Sequence, residues 1–384
     1  MKVLFITHRV LVGGVETLLR DITGVLLSDG CEVTVLVPFG ENIKDSCFFD
    51  SRVKVMSLFN REPRKKWLRT AWGRADFLPV WFWRGFHPFH RYDKVVSFMP
   101  DMLHLALASG IPRNVIWWNH GTMASVERGK ALKSRLHGWR QRRLLRCLKG
   151  GNRIFVSSSG METCEAFYGV PGGRILNNPL DVDRILRLSG EPQDVMRPKT
   201  GVANLISVGR LWTDKHFDRL LDVVVKLRDG GHPFHLWIVG DGSERGVLEA
   251  FATDNGLADF VTFLGEQANP FNLMKCADVY VCPSMTEGFG LSMAEALVLG
   301  VPVVSGDNGG GRDIVTESGY GIITENTIDG MYDGVVEMLR RGCPRVPTAY
   351  AARQRAWREE YMADIRKMLE GDARSGERVL DFSL

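Results

Sequence analysis

Short runs of apolar residues recur along the chain, and most are followed by a stretch with helical spacing. The first run spans 3–6, a helical stretch follows at 13–27, and the next run spans 32–37. Apolar runs of four to eight residues between turn signals are typical of strands buried in a parallel sheet, with helices as crossovers. Further strands are predicted at 94–98, 114–118, 153–157, 204–208, 235–239, 260–263, 278–282 and 302–305.

The strands and helices alternate in two successive series, which predicts an α/β protein with two doubly wound, Rossmann-like domains. A length of 384 residues agrees with two domains. Asn178-Pro179 is a turn signal between the two series. We therefore expect an N-terminal domain at 1–180, a C-terminal domain at 181–347, and a terminal helix and tail at 348–384.

Charge is distributed unevenly between the predicted domains. The net charge is +4, yet residues 1–180 carry 27 Lys/Arg against 14 Asp/Glu, and residues 181–384 carry 22 against 31. This asymmetry favours an anionic partner for the first domain. No apolar run approaches the roughly 18 residues that span a bilayer, and the first run is too short for a signal peptide, so we expect a cytoplasmic protein. The seven scattered cysteines disfavour a disulfide framework or a zinc site.

Two short motifs after predicted strands have the composition of phosphate-binding loops. Gly13-Gly14 follows the first strand, where glycines let backbone N–H groups approach a phosphate at a helix N-terminus. Arg210 and Lys215 follow the strand at 204–208, and two cations at the carboxyl end of a strand suit a diphosphate. Alone, the first motif is equally consistent with a helix N-cap turn, and the second is better explained as a solvated loop.

A third motif, at 283–296, places Glu287 and Glu295 eight residues apart across a glycine-rich helix start. Exposed N–H groups at 289–291 and the helix dipole would bind an anion. The carboxylates on either side can accept hydrogen bonds from hydroxyl groups. A ligand that combines phosphates, a ribose and sugar hydroxyls would satisfy the whole pattern.

Taken in order, these motifs resemble those of the GT-B glycosyltransferases of family 4, a retaining group built around E-x7-E. The matching stretches are GGVE, VGRLWTDKHFDRLL, WIVGDGSERGVLEAF, VTFLGE, ADVYVCPSMTEGFGLSMAEALVLGVPVVS and GDNGGGRDIV. The resemblance covers nearly all of 204–315 and the first 27 residues, and it is weak between 40 and 150. It implies a GT-B fold in which two Rossmann-like domains face a central cleft and the C-terminal helix crosses back to the first domain.

The resemblance also implies roles for individual residues. Arg210 and Lys215 would hold the donor diphosphate, Glu295 would accept from the ribose hydroxyls, and Glu287 would bind the hydroxyls of the transferred sugar. His120 would lie near the reacting sugar, with a buried histidine that caps a turn as the alternative. The implied catalytic residues are Glu287 and His120, and the implied donor-binding residues are Gly13, Gly14, Arg210, Lys215, Gly288, Phe289, Gly290, Leu291 and Glu295. The segment 265–270 would bind the base of the nucleotide. The sequence Asn269-Pro270-Phe271 is similar to that of family members that use UDP-sugars in bacterial surface-polysaccharide synthesis.

No metal ion and no resident cofactor are expected. A metal-dependent transferase needs a carboxylate pair on Mg²⁺ or Mn²⁺, and Asp181-Val182-Asp183 matches D-x-D only at the domain join, which we interpret as chance. Arg210, Lys215 and backbone N–H groups would instead stabilise the departing diphosphate. No motif residue is an obvious nucleophile, so same-face displacement is favoured, with the leaving phosphate taking the acceptor's proton.

Two segments of the basic half have the composition of a membrane-surface site. Residues 60–92 show neither the apolar runs of a buried strand nor the spacing of a helix, which predicts an insertion. They combine Arg and Lys with Trp and Phe. Residues 128–153 hold ten Lys/Arg and no acid. On a helix, one stripe beside Trp139 would contain Arg135, Arg142, Arg146 and Lys149. Such a mixture is typical of helices that lie on anionic membranes, whereas no nucleic-acid motif accompanies it. A solvated basic helix is the alternative.

The predicted function is the transfer of a hexose or N-acetylhexosamine, with retention of configuration, from a nucleotide sugar to a lipid-linked saccharide or lipopolysaccharide. The resemblance implies that the nucleotide is UDP. It would serve cell-surface polysaccharide synthesis at the inner face of the cell membrane. A glycosidase using Glu287 and Glu295 would leave Arg210 and Lys215 without a purpose. A non-catalytic homologue that binds nucleotide or membrane stays open, and the missing G-x-G-x-x-G fingerprint disfavours an NAD-dependent oxidoreductase.

Overall fold

The computed structural model describes residues 1–10, 14–43, 48–61, 78, 80–121, 132–195 and 197–370. The chain divides into two compact units. The first comprises Met1–Asn178 and the chain from Glu360 onward, and the second is Pro179–Glu359. Each unit contains one parallel sheet, and both sheets have helices as crossovers between their strands.

The sheet of the first unit has seven strands in the order β3-β2-β1-β4-β5-β6-β7. The strands are β1 (Lys2–Ile6), β2 (Glu32–Phe39), β3 (Lys54–Phe59), β4 (Lys94–Ser97), β5 (Val115–Asn119), β6 (Arg153–Phe155) and β7 (Arg174–Ile175). The helices are α1 (Gly14–Ser28), α2 (Leu103–Ala106), α3 (Leu132–Arg146) and α4 (Ser158–Tyr168). Short 3₁₀ turns lie at Gly40–Asn42, Val80–Gly85, Phe89–Arg91, Pro100–Met102, Leu107–Ser109, Pro112–Asn114 and Gly150–Asn152.

The sheet of the second unit has six strands in the order β10-β9-β8-β11-β12-β13. The strands are β8 (Ala203–Val208), β9 (Phe234–Val239), β10 (Val261–Gly265), β11 (Val279–Cys282), β12 (Val303–Gly306) and β13 (Gly321–Thr324). The helices are α5 (Val182–Ser189), α6 (Phe217–Asp229), α7 (Arg245–Asp254), α8 (Phe271–Met274), α9 (Leu291–Val298), α10 (Gly310–Ser318) and α11 (Ile328–Arg340), with a 3₁₀ turn at Thr213–Lys215.

Both sheets reverse their strand order at one point, between β1 and β4 in the first unit and between β8 and β11 in the second. Ligands of open α/β sheets bind in the crevice at the carboxyl ends of the strands beside such a switch point. The loops after β8 and β11 are therefore where the second unit is expected to hold a ligand.

Every strand predicted from an apolar run is present, within two residues at each end. Interior strands are buried on both faces, so their sequences are continuous apolar runs, as at 3–6 of β1. Three strands were missed. β3 and β13 are half-buried edge strands with mixed sequences, and β7 has only two residues.

The terminal helix α12 (Thr348–Glu370) begins at the predicted residue. It begins in the second unit, and from Glu360 it belongs to the first. Tyr361, Ile365 and Leu369 are buried at a spacing of one helix face, and Arg366 donates a hydrogen bond to Asp29 of the first unit. Among the helices of the described ranges, none combines the length and apolar character needed to cross a bilayer.

Candidate functional site

Two predicted site loops follow the two strands at the switch point of the second unit. The loop with Arg210 and Lys215 follows β8, and the loop with Glu287 follows β11. A direct ion pair joins them, because Lys215 Nζ lies 2.6 Å from Glu287 Oε1. Both side chains are mostly buried, 22% and 16% exposed respectively. The fold thus brings together two charges that are 72 residues apart in the chain.

Arg210 is held by an aromatic neighbour in the same loop. Its guanidinium lies 4.6 Å from the ring centre of Trp212, a cation–π arrangement. Two glycines let the loop after β9 pack directly on this segment. A Cβ on Gly240 would lie 1.9 Å from the carbonyl oxygen of Gly209, and a Cβ on Gly242 would lie 2.3 Å from that of Leu211.

The Glu287 backbone is fixed by the segment that follows β12. The Glu287 N–H donates to the carbonyl of Asn308 at 2.9 Å, and the Gly310 N–H donates to the carbonyl of Glu287 at 3.2 Å. Asn308 is itself buried: its Oδ1 accepts from the Gly311 N–H at 2.8 Å, and its Nδ2 donates to the Ser305 hydroxyl at 3.0 Å. Sequence reasoning missed Asn308, although the glycine run beside it signals a close backbone approach.

A second set of buried polar contacts holds the start of the same loop. Asn326 Nδ2 donates to the carbonyl of Met285 at 2.9 Å, and Asn326 Oδ1 accepts from Arg219 at the same distance. Arg219 also donates to the carbonyl of Pro283 at 3.3 Å. Asn326 lies outside the quoted motifs, and Arg219 lies within VGRLWTDKHFDRLL without having been assigned a role.

The helix α9 begins at the predicted glycine turn. Gly290 is its N-cap residue, with a left-handed φ of 93° that an L side chain rarely adopts, and Leu291 is the first helical residue. Gly288 and Phe289 form the turn before it, and Phe289 is buried. The backbone at 288–291 therefore occupies the helix N-terminus, where an anion is stabilised.

Glu295 lies in the second turn of α9 and has a strongly perturbed carboxyl group. Desolvation raises its pKa to about 7, while the charge of Arg184 acts in the opposite direction. The start of the helix is tied to β8 by Tyr280, whose hydroxyl contacts the carbonyl of Val208 at 3.1 Å and the hydroxyl of Ser292 at 2.7 Å. Tyr280 is fully buried and was also missed.

The segment expected to seat the base follows β10. Gly265 has a positive φ of 71°, and its carbonyl accepts from the Gly240 N–H at 2.8 Å, next to the Arg210 loop. Asn269 donates through Nδ2 to the carbonyl of Leu188 at the end of α5. Pro270 is the N-cap residue of α8. The segment is thus fixed on both sides within the second unit.

His120 lies directly after β5 in the first unit. Its ring stacks on Trp118 at 5.7 Å and contacts Phe98 at 4.5 Å. Both ring nitrogens are buried and have no hydrogen-bond partner among the described residues. Burial lowers the pKa of His120 to about 3, so the imidazole is neutral at physiological pH.

The other switch point also brings polar groups together. His8, after β1, lies 2.7 Å from Asp101, after β4, and the pair is partly exposed. Gly14 is the first residue of α1, whereas Gly13 lies outside the described residues. Glu16, the acid of GGVE, is buried and bonded to Arg9 at 3.3 Å.

The D-x-D match has structural roles in the second unit. Asp181 is the N-cap residue of α5, and its side chain accepts from the Arg184 N–H at 3.1 Å. Asp183 accepts two hydrogen bonds from Arg355 of α12. Both carboxylates therefore have protein partners, and the helix-cap signal of Asp181 was readable in the sequence.

The basic helix and part of the aromatic segment meet in the first unit. Residues 62–77 and 79 of the predicted insertion, and 122–131 before α3, lie outside the described residues. Arg140 of α3 is buried and donates to the carbonyl of Leu78 at 2.6 Å. The side chains exposed in these two segments include Leu78, Trp81, Phe82, Phe86, Trp139, Arg143, Arg146 and Lys149. Of the predicted stripe, Arg146 and Lys149 are exposed and Arg142 is half-buried, whereas the side chain of Arg135 lies outside the described residues.

Two protein-family profiles match the chain along most of its length. Glycosyltransferase Family 4 matches residues 12–184, and Glycosyl transferases group 1 matches residues 194–355. The two doubly wound units and the charged loops after β8 and β11 agree with these matches. Together they define a glycosyltransferase of the GT-B class. More particularly, the chain belongs to the GT-B glycosyltransferases of family 4, and the predicted fold and family are confirmed.

Curated relatives match over part of their length. A 2-deoxystreptamine glucosyltransferase of Streptomyces kanamyceticus is 32% identical over 48% of this chain and 46% of its own length. A GDP-mannose-dependent monoacylated alpha-(1-6)-phosphatidylinositol monomannoside mannosyltransferase of Corynebacterium glutamicum is 27% identical over 54% of this chain and 59% of its own. The chain thus spans about half the length of these relatives.

Solved structures match over nearly the whole chain. The lipopolysaccharide outer core galactosyltransferase WaaB superposes with a TM-score of 0.70 and 19% identity, covering 97% of this chain and 100% of that one. Anabaena Alr3699/HepE in complex with UDP gives a TM-score of 0.67 at 19% identity, covering 97% and 98%. At this identity the likeness establishes the fold.

Proposed function

We propose that this protein transfers a hexose or N-acetylhexosamine, with retention, from a UDP-sugar to a lipid-linked saccharide or lipopolysaccharide acceptor. The observation that carries the proposal is the pairing of Lys215 with Glu287 at the switch point of the second unit. A diphosphate and a sugar hydroxyl group are the two halves of a ligand that fits this pair. Among the similar proteins, a solved structure contains UDP and a curated relative is named as GDP-mannose-dependent, so both nucleotides are included in the test.

In the proposed complex, each part of the donor has a protein counterpart. Arg210 and Lys215 neutralise the diphosphate, and the helix start at 288–291 adds N–H donors. Glu295 accepts from the ribose hydroxyls, and Glu287 accepts from those of the sugar. Gly13-Gly14 are proposed to bind the diphosphate, as the family resemblance implies. His120, neutral at physiological pH, donates to or accepts from the reacting sugar.

We propose that the transfer proceeds on one face of the sugar and without a metal ion. The bond from the anomeric carbon to the phosphate oxygen breaks as the acceptor oxygen bonds to that carbon. The acceptor's proton passes to the departing phosphate oxygen, whose charge Arg210 and Lys215 stabilise. The protein partners of Asp181 and Asp183 support a metal-independent site.

Thermal unfolding with UDP, GDP or ADP, each with and without EDTA, tests the donor assignment. A nucleotide at about 100 times its dissociation constant adds roughly 2.7 kcal/mol of stability. We expect UDP to raise the melting temperature in EDTA, and Arg210→Ala to abolish most of the shift. A shift with GDP alone would change the donor to a guanosine diphosphate sugar, and no shift with any nucleotide would overturn the site.

Donor turnover separates an enzyme from a non-catalytic binder and from a glycosidase. Wild-type protein should release UDP from a UDP-sugar in the presence of a saccharide-lipid acceptor, and Glu287→Ala should lower the rate at least 100-fold. Hydrolysis of simple glycosides without a nucleotide would favour the glycosidase, whereas nucleotide binding without turnover would favour the binder.

We also propose that the protein is cytoplasmic and acts at the inner face of the cell membrane, where a lipid-linked acceptor is met. The exposed aromatic and basic side chains around Val80–Gly85 and α3 support this contact. Co-sedimentation with vesicles of phosphatidylglycerol and phosphatidylcholine should fall when Trp139→Ala and Arg143→Glu are combined. Trp212→Ala, which removes an exposed tryptophan of the second unit, is the matched control. Equal binding to neutral vesicles would contradict the electrostatic part.

A further inference from the structure

We infer that the ion pair between Lys215 and Glu287 makes the site discriminate against the free nucleoside diphosphate in favour of the nucleotide sugar. The two groups are in direct contact at 2.6 Å, and both are largely buried. The inference rests on the proposed function, in which Lys215 binds the diphosphate and Glu287 binds the sugar. It adds that the two contacts are coupled.

Each partner of the pair already satisfies the other. A diphosphate that takes the ammonium of Lys215 leaves the carboxylate of Glu287 without its cation and places phosphate charge nearby. Removing one partner of a buried charged pair is costly because the other charge stays desolvated. A free nucleoside diphosphate therefore has to compete with Glu287 for Lys215.

A nucleotide sugar replaces both halves of the pair at once. Its diphosphate takes the place of the carboxylate at Lys215, and its sugar hydroxyls donate to the carboxylate of Glu287. The competition with Glu287 that weakens binding of the free diphosphate is therefore compensated when the nucleotide sugar binds. Since transfer removes the sugar and leaves the diphosphate, the same pair favours release of the product.

The anchoring of Glu287 makes this coupling effective. Its peptide group is held on both sides, by the carbonyl of Asn308 and the N–H of Gly310. The loop start is held by Asn326 at Met285. A carboxylate on a fixed backbone, mostly shielded from water, has few ways to regain a partner when Lys215 turns to a phosphate.

Glu287→Gln tests the inference, because it keeps the side-chain shape and removes the charge that holds Lys215. Titration calorimetry with UDP and UDP-glucose, and with GDP and GDP-mannose, gives the affinities of the free and sugar-linked forms. We expect the diphosphate to bind about 3–10-fold more tightly to Glu287→Gln than to wild type. The preference for the sugar-linked form over the diphosphate should fall towards one.

Two further variants make the outcome unambiguous. Asp214→Asn removes an exposed negative charge beside Lys215 but leaves the pair intact, so it should change diphosphate affinity less than twofold. An equal gain in Asp214→Asn and Glu287→Gln would overturn the inference in favour of general charge repulsion. Lys215→Ala should weaken diphosphate binding at least tenfold, and no loss there would overturn the proposed function as well. A loss in Lys215→Ala without a gain in Glu287→Gln would overturn only the coupling.

Discussion

Replacement of Asn308 by alanine tests whether a buried amide positions the Glu287 loop. The Asn308 side chain is 3% exposed and connects three elements. Its Oδ1 accepts from the Gly311 N–H at 2.8 Å, and its Nδ2 donates to Ser305 Oγ at 3.0 Å and contacts Cys282 Sγ at 3.5 Å. These contacts fix the backbone whose carbonyl receives the Glu287 N–H.

The expected loss of stability follows from what the truncation leaves behind. In Asn308→Ala, the N–H of Gly311 loses its acceptor in the interior, which costs about 1–3 kcal/mol. The Ser305 hydroxyl still donates to the carbonyl of Gly306, so it adds little. With the small cavity included, we expect about 2–3 kcal/mol, or roughly 5–10 °C in the melting temperature for a unit of this size.

Scanning calorimetry and nucleotide titration measure the two effects separately. Asn308→Ala should weaken binding of the sugar-linked donor more than that of the free diphosphate, because the displaced group is Glu287. Asn255→Ala, at an exposed helix end, is the matched control and should change stability by less than about 0.5 kcal/mol. An Asn308→Ala protein as stable as the control, or one that loses both ligands equally, would refute a positioning role.

Three other perturbations probe the packing and charge of the second unit. Gly240→Ala should lower the free energy of unfolding by more than about 3 kcal/mol in chemical denaturation, because its Cβ would overlap a carbonyl and its φ is 138°. Gly24→Ala, in open space within α1, should instead raise the free energy of unfolding by about 0.5–1 kcal/mol. Tyr280→Phe should lower stability by about 1–2 kcal/mol in the same assay. Because the folded-state pKa of Glu295 is raised from 4.5 to about 7, Glu295 should reduce stability as pH rises from 4.5 to 7. Glu295→Gln should remove that slope, and an unchanged pH profile would contradict it.

The sequence was sufficient for the interior of both sheets, because burial on two faces requires continuous apolar runs. It was insufficient at the sheet edges, where β3, β7 and β13 are short or half-buried and need less hydrophobic sequence. At the end of α3 and just after it, Leu144, Leu145 and Leu148 are buried, and this packing determines which arginines are exposed. Spacing alone predicted the helix and its stripe, but not that packing leaves Arg142 half-buried.

Arg210, Lys215 and Glu287 could be predicted as neighbours because each lies in a loop that follows a strand. The residues that hold them could not, because Asn326 and Arg219 contact segments that are distant in the chain, and the backbone that Asn308 fixes meets Glu287 only in the fold. The role of a buried amide depends on the groups around it. Those groups are brought together by the packing of α6 and β12 against the Glu287 loop. The donor and catalytic roles of all the predicted site residues, Lys215 and Glu287 included, stay predictions.

The two switch points carry the same arrangement with different chemistry. After β1 and β4, His8 meets Asp101 at 2.7 Å, and after β8 and β11, Lys215 meets Glu287 at 2.6 Å. Neighbouring strands at a switch point send their loops and crossovers to opposite sides, which opens a crevice between two loop ends. Long polar side chains from those ends can reach each other there, whatever the intervening sequence length. Charged residues a few positions after the first and fourth strands of a series are therefore the pairs to examine first in such a sequence.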